Sequence, residues 1–243
     1  MTEALQQPGC VLAFDDEHGI AGALARAMGM PLARVERHRF PDGELKLRLP
    51  ARLPPRAVLF RSLHQPNEKL VELMIAAPAA RELGVRHLSL ACPYLAYMRQ
   101  DIAFAPGEAV SQRHVGALLA RHFDAVVTVD PHLHRIASLA EVMPGCAAVS
   151  VSAAALIGAW VEQRVRRPVL LGPDEESAQW VREAARACAP AADHGWASSR
   201  IPAAASATQA KSLVRRESNV ARPIGPMNSI VTAGPSGTRS IAS

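Results

Sequence analysis

Apolar residues recur with two different periods along the first 190 residues of the chain. Short apolar or alternating runs, typical of strands, lie between longer stretches in which apolar residues recur every three or four positions, typical of helices. The strand-like runs are residues 10–14, 44–49, 57–60, 87–92, 125–129 and 168–171, and the helix-like stretches are 19–28, 67–83, 111–123, a segment beginning at 152, and 174–189. This alternation predicts an α/β fold with mostly parallel sheets.

Single residues refine the predicted helices. Leu70, Leu73 and Met74 are spaced to share one face of helix 67–83. Pro78 should kink or divide that helix, because proline lacks a backbone donor and clashes with the preceding turn. Ser111 is expected to cap the next helix with its hydroxyl.

The periodic pattern stops near residue 190. Residues 193–243 contain only 8 large aliphatic or phenylalanine residues among 51, which is below the content of a packed core. We therefore expect an N-terminal domain over 1–145, the beginning of a second, similar but incomplete domain over 146–192, and a tail over 193–243 without packed structure.

Composition narrows the class of protein. The net charge is +5, but residues 193–243 hold six basic and two acidic residues, so the rest of the chain is nearly neutral. A nucleic-acid surface is therefore not expected.

No apolar run approaches the roughly 20 residues of a membrane span, and the amino terminus does not resemble a secretion signal. We therefore expect a cytoplasmic protein without a membrane partner. The four scattered cysteines should be reduced packing residues.

Three polar clusters follow predicted strands, where open α/β sheets bind ligands. Residues 39–44 read RFPDGE and suit a tight turn; 93–101 read PYLAYMRQD; 128–134 read TVDPHLH. In the second cluster, Arg99 is suited to phosphate oxygens, and Gln100 and Asp101 to a base or ribose. In the third, Asp130, His132 and His134 alternate as ligands of a divalent ion would.

Each cluster also has a plainer interpretation. The first suits a turn with solvated carboxylates, the second an exposed loop whose aromatic rings cover the sheet end, and the third a polar loop without an ion. Asp174 follows another predicted strand, and taken alone it is better explained as a helix N-cap. The residues alone leave these alternatives open.

Taken in order, the motifs resemble the ribose-phosphate diphosphokinase (phosphoribosyl pyrophosphate synthetase) family over about residues 10–190. The resemblance rests on RFPDGE at 39–44, SLHQPNEKLVELMIAAPAARELG at 62–84, PYLAYMRQD at 93–101, GEAVSQRHV at 107–115, TVDPHLHRI at 128–136 and LGPDEESAQW at 171–180. It implies two phosphoribosyltransferase-like domains.

The resemblance also implies site residues. Phe40, Asp42 and Glu44 would reach ATP bound to a neighbouring subunit of a homo-oligomer. Arg99, Gln100 and Asp101 would form the main ATP-binding loop, and His132 and Asp174 would be associated with Mg²⁺. The implied reaction transfers diphosphate from ATP to ribose 5-phosphate and releases AMP.

Residues 193–243 depart from the family pattern. The basic catalytic loop and the acidic, Thr/Gly-rich sugar-phosphate loop of the family have no match there, so no catalytic residue is assigned. We interpret this as a carboxyl end replaced by a frame shift or fusion. Three interpretations remain: an active diphosphokinase, an inactive ATP-binding or regulatory relative, and, weakest, a phosphoribosyltransferase-like enzyme.

Overall fold

The computed structural model describes residues 9–133, 135–165, 168, 170–172, 177–188 and 231–232. Contacts divide the chain into two compact units, Met1–Val151 and Ser152–Ser243. The domain limits expected from the sequence stay a prediction; the sheet of the first unit continues as far as Val151.

The first unit is built on seven strands. They are β1 (Gly9–Phe14), β2 (Leu32–Arg39), β3 (Leu45–Arg48), β4 (Arg56–Phe60), β5 (His87–Cys92), β6 (Ala125–Val129) and β7 (Ala147–Val151). Their order across the sheet is β3-β2-β1-β4-β5-β6-β7. Every neighbouring pair is parallel except β2 and β3, which form an antiparallel hairpin. The predicted α/β fold with a mostly parallel sheet is confirmed.

Helices cover the central strands on both faces. The helices of this unit are α1 (His18–Met28), α2 (Pro66–Glu82) and α3 (Ser111–His122). Leu12, Leu59 and Leu90 pack on the face beneath α2 and α3, while Val11 and Phe60 pack beneath α1. Parallel strands covered in this way read as continuous apolar runs, which is why β1 was visible in the sequence. All four cysteines are buried free thiols, as predicted.

Two details of α2 differ from the prediction. Met74 is 43% exposed, and the buried face uses Leu73 with Ala76, Ala77 and Ala80 instead. The helix is also not divided at Pro78, whereas the kink there stays a prediction. Because Pro78 and Met74 both lie on the exposed side, water can satisfy the Met74 carbonyl that loses its helical donor.

Other helix features were partly predicted. The left-handed Gly29 (φ 63°) ends α1 as expected. The expected Ser111 cap is wrong, because Val110 is the N-cap residue and the structure has no side-chain cap there. None of the described helices has the length and apolar content needed to cross a bilayer.

The second unit contains α4 (Ala154–Glu162), β8 (Leu170–Leu171), α5 (Ala178–Cys188) and β9 (Val231–Thr232), and β8 pairs with β9 in parallel. Gly158 of α4 lies against the α5 backbone, where its carbonyl accepts a hydrogen bond from Cys188 Sγ at 3.0 Å. Leu156 and Trp160 are 74% and 53% exposed, and the packed side of α4 is formed by Ala154, Gly158 and Val161. Apart from Val231 and Thr232, the predicted tail 193–243 lies outside the described residues.

Gly116 of α3 tests the packing of the first unit. A Cβ at this position would lie 2.4 Å from the Val142 carbonyl oxygen, whereas one at Gly19 of α1 would meet nothing within 4 Å. We expect Gly116→Ala to lower the free energy of unfolding by about 1–3 kcal/mol through overpacking. Gly19→Ala should leave it unchanged or raise it by up to about 1 kcal/mol. Urea unfolding of the whole chain measures both, and equal effects would contradict the close approach.

Candidate functional site

The carboxyl ends of the parallel strands meet at one edge of the sheet, and the three predicted clusters follow β2, β5 and β6 at that edge. β5 and β6 are neighbours, so the structure brings the Arg99 and His132 segments together. The turn after β2 lies three strand spacings from β5, on the order of 14 Å. The structure therefore does not join it to the other two clusters.

Phe40, Asp42 and Glu44 lie in the tight turn between β2 and β3, and all three are exposed. The Phe40 N–H donates to the Glu44 carbonyl at 2.8 Å, and Gly43 has a φ of 95°. Asp42 Oδ1 accepts a hydrogen bond from the Glu44 N–H at 3.1 Å. The His38 ring packs edge-on against the Phe40 ring, and the two ring centroids are 4.8 Å apart. The turn is thus preformed and presents one aromatic ring and two carboxylates to solvent.

Two ion pairs fix this hairpin to the amino-terminal half of α2. Arg39 pairs with Glu68, and Arg37 pairs with the buried Glu72, one helical turn further on. Glu68 and Glu72 are four residues apart and therefore lie on the same side of the helix. The hairpin consequently takes its position from α2.

The loop after β5 is anchored at several points around Arg99. Tyr97, with a φ of 64°, donates its hydroxyl to Asn67 at the beginning of α2. The buried Gln112 of α3 donates its side-chain amide to the Met98 carbonyl and its backbone N–H to the Gln100 carbonyl, both at 3.2 Å. The Arg99 side chain between these anchors is exposed. This arrangement holds a guanidinium where a phosphate can reach it.

Gln100 and Asp101 are less accessible than Arg99. The Gln100 side-chain amide donates to the Ile102 carbonyl at 3.0 Å, within its own loop. The Asp101 side chain is only 1% exposed, and its Oδ1 accepts a hydrogen bond from Arg135 Nη1 at 2.6 Å. Asp101 Oδ2 is buried with no hydrogen-bond partner in the described part of the chain. Sequence reasoning missed Arg135, which lies 34 residues away along the chain.

The loop after β6 holds the candidate metal position. Asp130 has a φ of 41°, and its N–H donates to the Val151 carbonyl at 2.9 Å. His132 is half-buried on the same loop. Two of the sequence-predicted residues, His134 and Asp174, lie outside the described residues. Among the residues that are described, no three histidine, cysteine or acidic side chains are grouped to hold a metal.

Asp130 and His132 fit one mode of Mg²⁺ binding. Mg²⁺ dehydrates reluctantly and is commonly held by one or two protein groups together with waters and substrate phosphates. Asp130 and His132, both half-buried on one loop, fit an ion held mainly by a nucleotide. They do not form an all-protein cage.

A cluster of charged side chains occupies the boundary between β1 and β4, and we call it the switch-point cluster: Asp16, Glu17, Arg61, Lys69 and Glu72. Chain connections leave β1 and β4 toward opposite sides of the sheet, and open α/β sheets usually bind ligands at such a point. The Arg61 side chain is fully buried there. Its Nη1 donates to both Asp16 oxygens at 2.8 Å and to Glu17 Oε2 at 3.0 Å.

The remaining contacts complete the switch-point cluster. Arg61 Nη2 lies 2.5 Å from Glu72 Oε2, and the Arg61 guanidinium lies 4.5 Å from the centroid of the Phe14 ring. Lys69 Nζ donates to the Ser62 carbonyl at 2.7 Å and lies 3.9 Å from Glu17. Burial and the nearby Arg61 charge lower the pKa of Lys69. The position that usually receives a ligand is thus filled by the protein's own charges.

A sequence signal for this cluster existed. Lys69, Glu72, Leu73, Ala76 and Ala80 follow the i, i+3, i+4, i+7, i+11 spacing of one helical face. Leu73 and the two alanines are buried. Lys69 and Glu72 share this face, so each is expected to be buried and to require an oppositely charged partner. The spacing does not reveal Arg61 or Glu17 as the partners.

Comparison with known proteins connects this site to a family. Residues 10–122 match the family described as the N-terminal domain of ribose phosphate pyrophosphokinase. Ribose-phosphate pyrophosphokinase from Methanopyrus kandleri is 37% identical over 187 residues, 76% of this chain and 63% of the relative. The protein of the same name from Thermococcus kodakarensis is 33% identical over 172 residues, 71% of this chain and 58% of the relative.

A solved structure shares the fold. The crystal structure of phosphoribosylpyrophosphate synthetase from Mycobacterium smegmatis aligns with a TM-score of 0.64 at 19% identity, covering 75% of this chain and 61% of that one. The chain therefore spans less than two thirds of each of these three proteins.

Asp16 gives the switch-point cluster a pH signature. Burial alone would raise the pKa of the Asp16 carboxyl, but the hydrogen bonds and charge of Arg61 outweigh burial and lower it. A carboxyl with a lowered pKa in the folded state stabilises the fold above its ordinary pKa of about 3.9, and this contribution is lost as the pH falls through the folded value. We expect Asp16→Asn to cost about 1 kcal/mol at pH 7, a modest value because the Asp16 side chain is 39% exposed.

The difference between Asp16→Asn and the natural chain should shrink as the pH falls below about 4. Asp15→Asn is the matched control, since the Asp15–Arg34 pair is exposed on both sides and should be worth less than about 0.5 kcal/mol. Urea unfolding at several pH values measures both variants. A difference that stays constant down to pH 3 would show that the Asp16 charge is not what stabilises the cluster.

Proposed function

We propose that the chain transfers the β,γ-diphosphoryl group of ATP to the anomeric hydroxyl of ribose 5-phosphate, releasing AMP. The proposal is supported by the match of residues 10–122 to the N-terminal domain of ribose phosphate pyrophosphokinase. The observation that carries this proposal is the side-by-side position of the Arg99 and His132 loops at the carboxyl edge of neighbouring strands. One loop offers an exposed guanidinium and the other an imidazole, which is what a nucleotide with a divalent ion requires.

Within the loop after β5, Arg99 is assigned to the ATP phosphates. Its guanidinium is exposed, and the backbone on either side is held by Gln112, so little loop freedom is lost on binding. Gln100 and Asp101 belong to the same ATP-binding loop. A hydrogen bond between a guanidinium and a phosphate is charge-assisted and stronger than a neutral one.

His132 is assigned to Mg²⁺. When bound, the ion offsets the negative charge of the β- and γ-phosphates during transfer. His132 lies one strand from the Arg99 loop, so both loops can act on one triphosphate. The protein's own task is to hold the nucleotide in line with its acceptor, and no covalent residue is needed for that.

The turn with Phe40, Asp42 and Glu44 is assigned to the adenine of ATP bound to a second copy of the chain. All three side chains are exposed on a preformed turn. They lie on the order of 14 Å across the sheet from the Arg99 loop of the same copy. Contact between this turn and a neighbour's nucleotide requires a homo-oligomer.

Release of AMP by the purified chain tests the proposal. ATP, Mg²⁺ and ribose 5-phosphate should give AMP, and omission of the sugar should abolish it. Arg99→Gln should weaken ATP binding about tenfold or more through loss of a charge-assisted hydrogen bond. Arg113→Gln, at an exposed position on α3, is the control and should bind ATP as the natural chain does. Absence of sugar-dependent AMP would contradict the assigned reaction.

Mixing two variants tests the shared site. Phe40→Ala and Arg99→Gln should each be impaired alone, since each damages one half of every site. In mixed oligomers, some sites combine an intact Phe40 from one copy with an intact Arg99 from the other. AMP release should therefore recover after the two proteins are mixed and allowed to exchange subunits. No recovery, with subunit exchange verified by a tagged copy, would assign both residues to sites within one copy.

A further inference from the structure

We propose that Arg135 is a positioning residue that acts through Asp101 to hold the ATP-binding loop after β5 against the loop after β6. The inference deepens the proposed function and rests on the assignment of Arg99 and Gln100 to ATP. It gives a role to Arg135, which lies within the TVDPHLHRI motif but received no assignment from the sequence.

The contact is between a buried anion and a half-exposed cation. Asp101 is 1% exposed and Arg135 is 50% exposed at the side chain, with Nη1 and Oδ1 2.6 Å apart. The other Asp101 oxygen has no hydrogen-bond partner among the described residues. A carboxylate removed from water in this way depends strongly on its cation.

The pair joins two segments that the sheet brings close. Cys92 of β5 pairs with Thr128 of β6, and the Val129 N–H donates to the Pro93 carbonyl at 3.3 Å just beyond the strands. Asp101 lies nine residues past Cys92, and Arg135 lies six residues past Val129. The ion pair therefore ties the two loops together well beyond the last strand contact.

The burial of Asp101 decides how it acts. A side chain with 1% exposure cannot reach a ligand in solution, while Arg99, two residues earlier, is exposed. Gln112 anchors the loop backbone at Met98 and Gln100. Asp101, the next residue, anchors the loop through its side chain to Arg135. Without Arg135 the buried carboxylate would lose its cation and turn toward water. The loop would follow, and the backbone that carries Arg99 would lose its fixed position.

Four variants and one control test this role: Arg135→Gln, Arg135→Lys, Asp101→Asn, the double variant Arg135→Gln/Asp101→Asn, and the control Arg121→Gln at an exposed position of α3. Amide hydrogen exchange without nucleotide reports whether the loop over residues 98–104 is held. Calorimetric titration with ATP and Mg²⁺ reports the dissociation constant. The thermal midpoint reports global stability.

Arg135→Gln should speed exchange of the loop about tenfold and weaken ATP binding about tenfold, within the range of coupled ion pairs. Arg135→Lys keeps the charge and should stay within about threefold of the natural chain. The double variant should be no worse than either single one, because the two residues act as a unit. Arg121→Gln should change neither readout.

Unchanged loop exchange in both Arg135→Gln and Asp101→Asn would overturn the inference. Additive losses of ATP affinity in the double variant would also overturn it, since they would indicate that Arg135 contacts the nucleotide itself. If Arg135→Gln does not fold, loop exchange in Asp101→Asn still decides whether the ion pair holds the loop, with unchanged exchange overturning the inference. If the natural chain does not bind ATP, the proposed function fails, while the exchange measurement still judges the Arg135–Asp101 pair.

Discussion

Two candidate site segments, the β2–β3 hairpin and the loop after β5, depend for their positions on the ion pairing of one buried guanidinium, that of Arg61. A charge removed from water is tolerated only when it is closely paired, so Arg61 requires Asp16, Glu17 and Glu72 around it. These partners come from the end of β1 and from α2. With α2 held in this way, its first turns hold the β2–β3 hairpin through Glu68 and the loop after β5 through Asn67. One buried side chain thereby connects the site segments through a single helix.

The same cluster explains where a nucleotide can bind. In an open α/β sheet the switch point is the usual ligand position, yet here it is closed by the protein's own ion pairs. The accessible guanidinium lies two strands from β1, on the loop after β5. The ion pairs at the switch point thus stabilise the first unit, and the proposed recognition of a nucleotide is assigned to the neighbouring strand ends.

Local interactions shape one segment of the candidate site, and long-range interactions shape another. The Phe40 turn is formed by hydrogen bonds among residues a few positions apart, so it keeps its shape independently of the sheet. The Arg99 loop has few such local bonds and takes its shape from Gln112, Asn67 and Arg135, which belong to other parts of the chain. Changes far from Arg99 in sequence are therefore expected to alter nucleotide binding, whereas the turn responds mainly to its own residues.

By itself the sequence determined the α/β class, the approximate strands and helices, and the placement of Arg99 and His132 after strands, because periodicity, glycine caps and turn residues act over a few neighbouring positions. The sequence predicted the buried faces of the helices less well. Met74 was expected on the buried face of α2 but is exposed, because the sheet covers a different side of that helix. Only the tertiary structure decided the partners of the charged groups. Arg61 meets Asp16 across 45 residues, and Arg135 meets Asp101 across 34. Such pairs depend on which strands become neighbours in the sheet, and no local pattern in the chain encodes that.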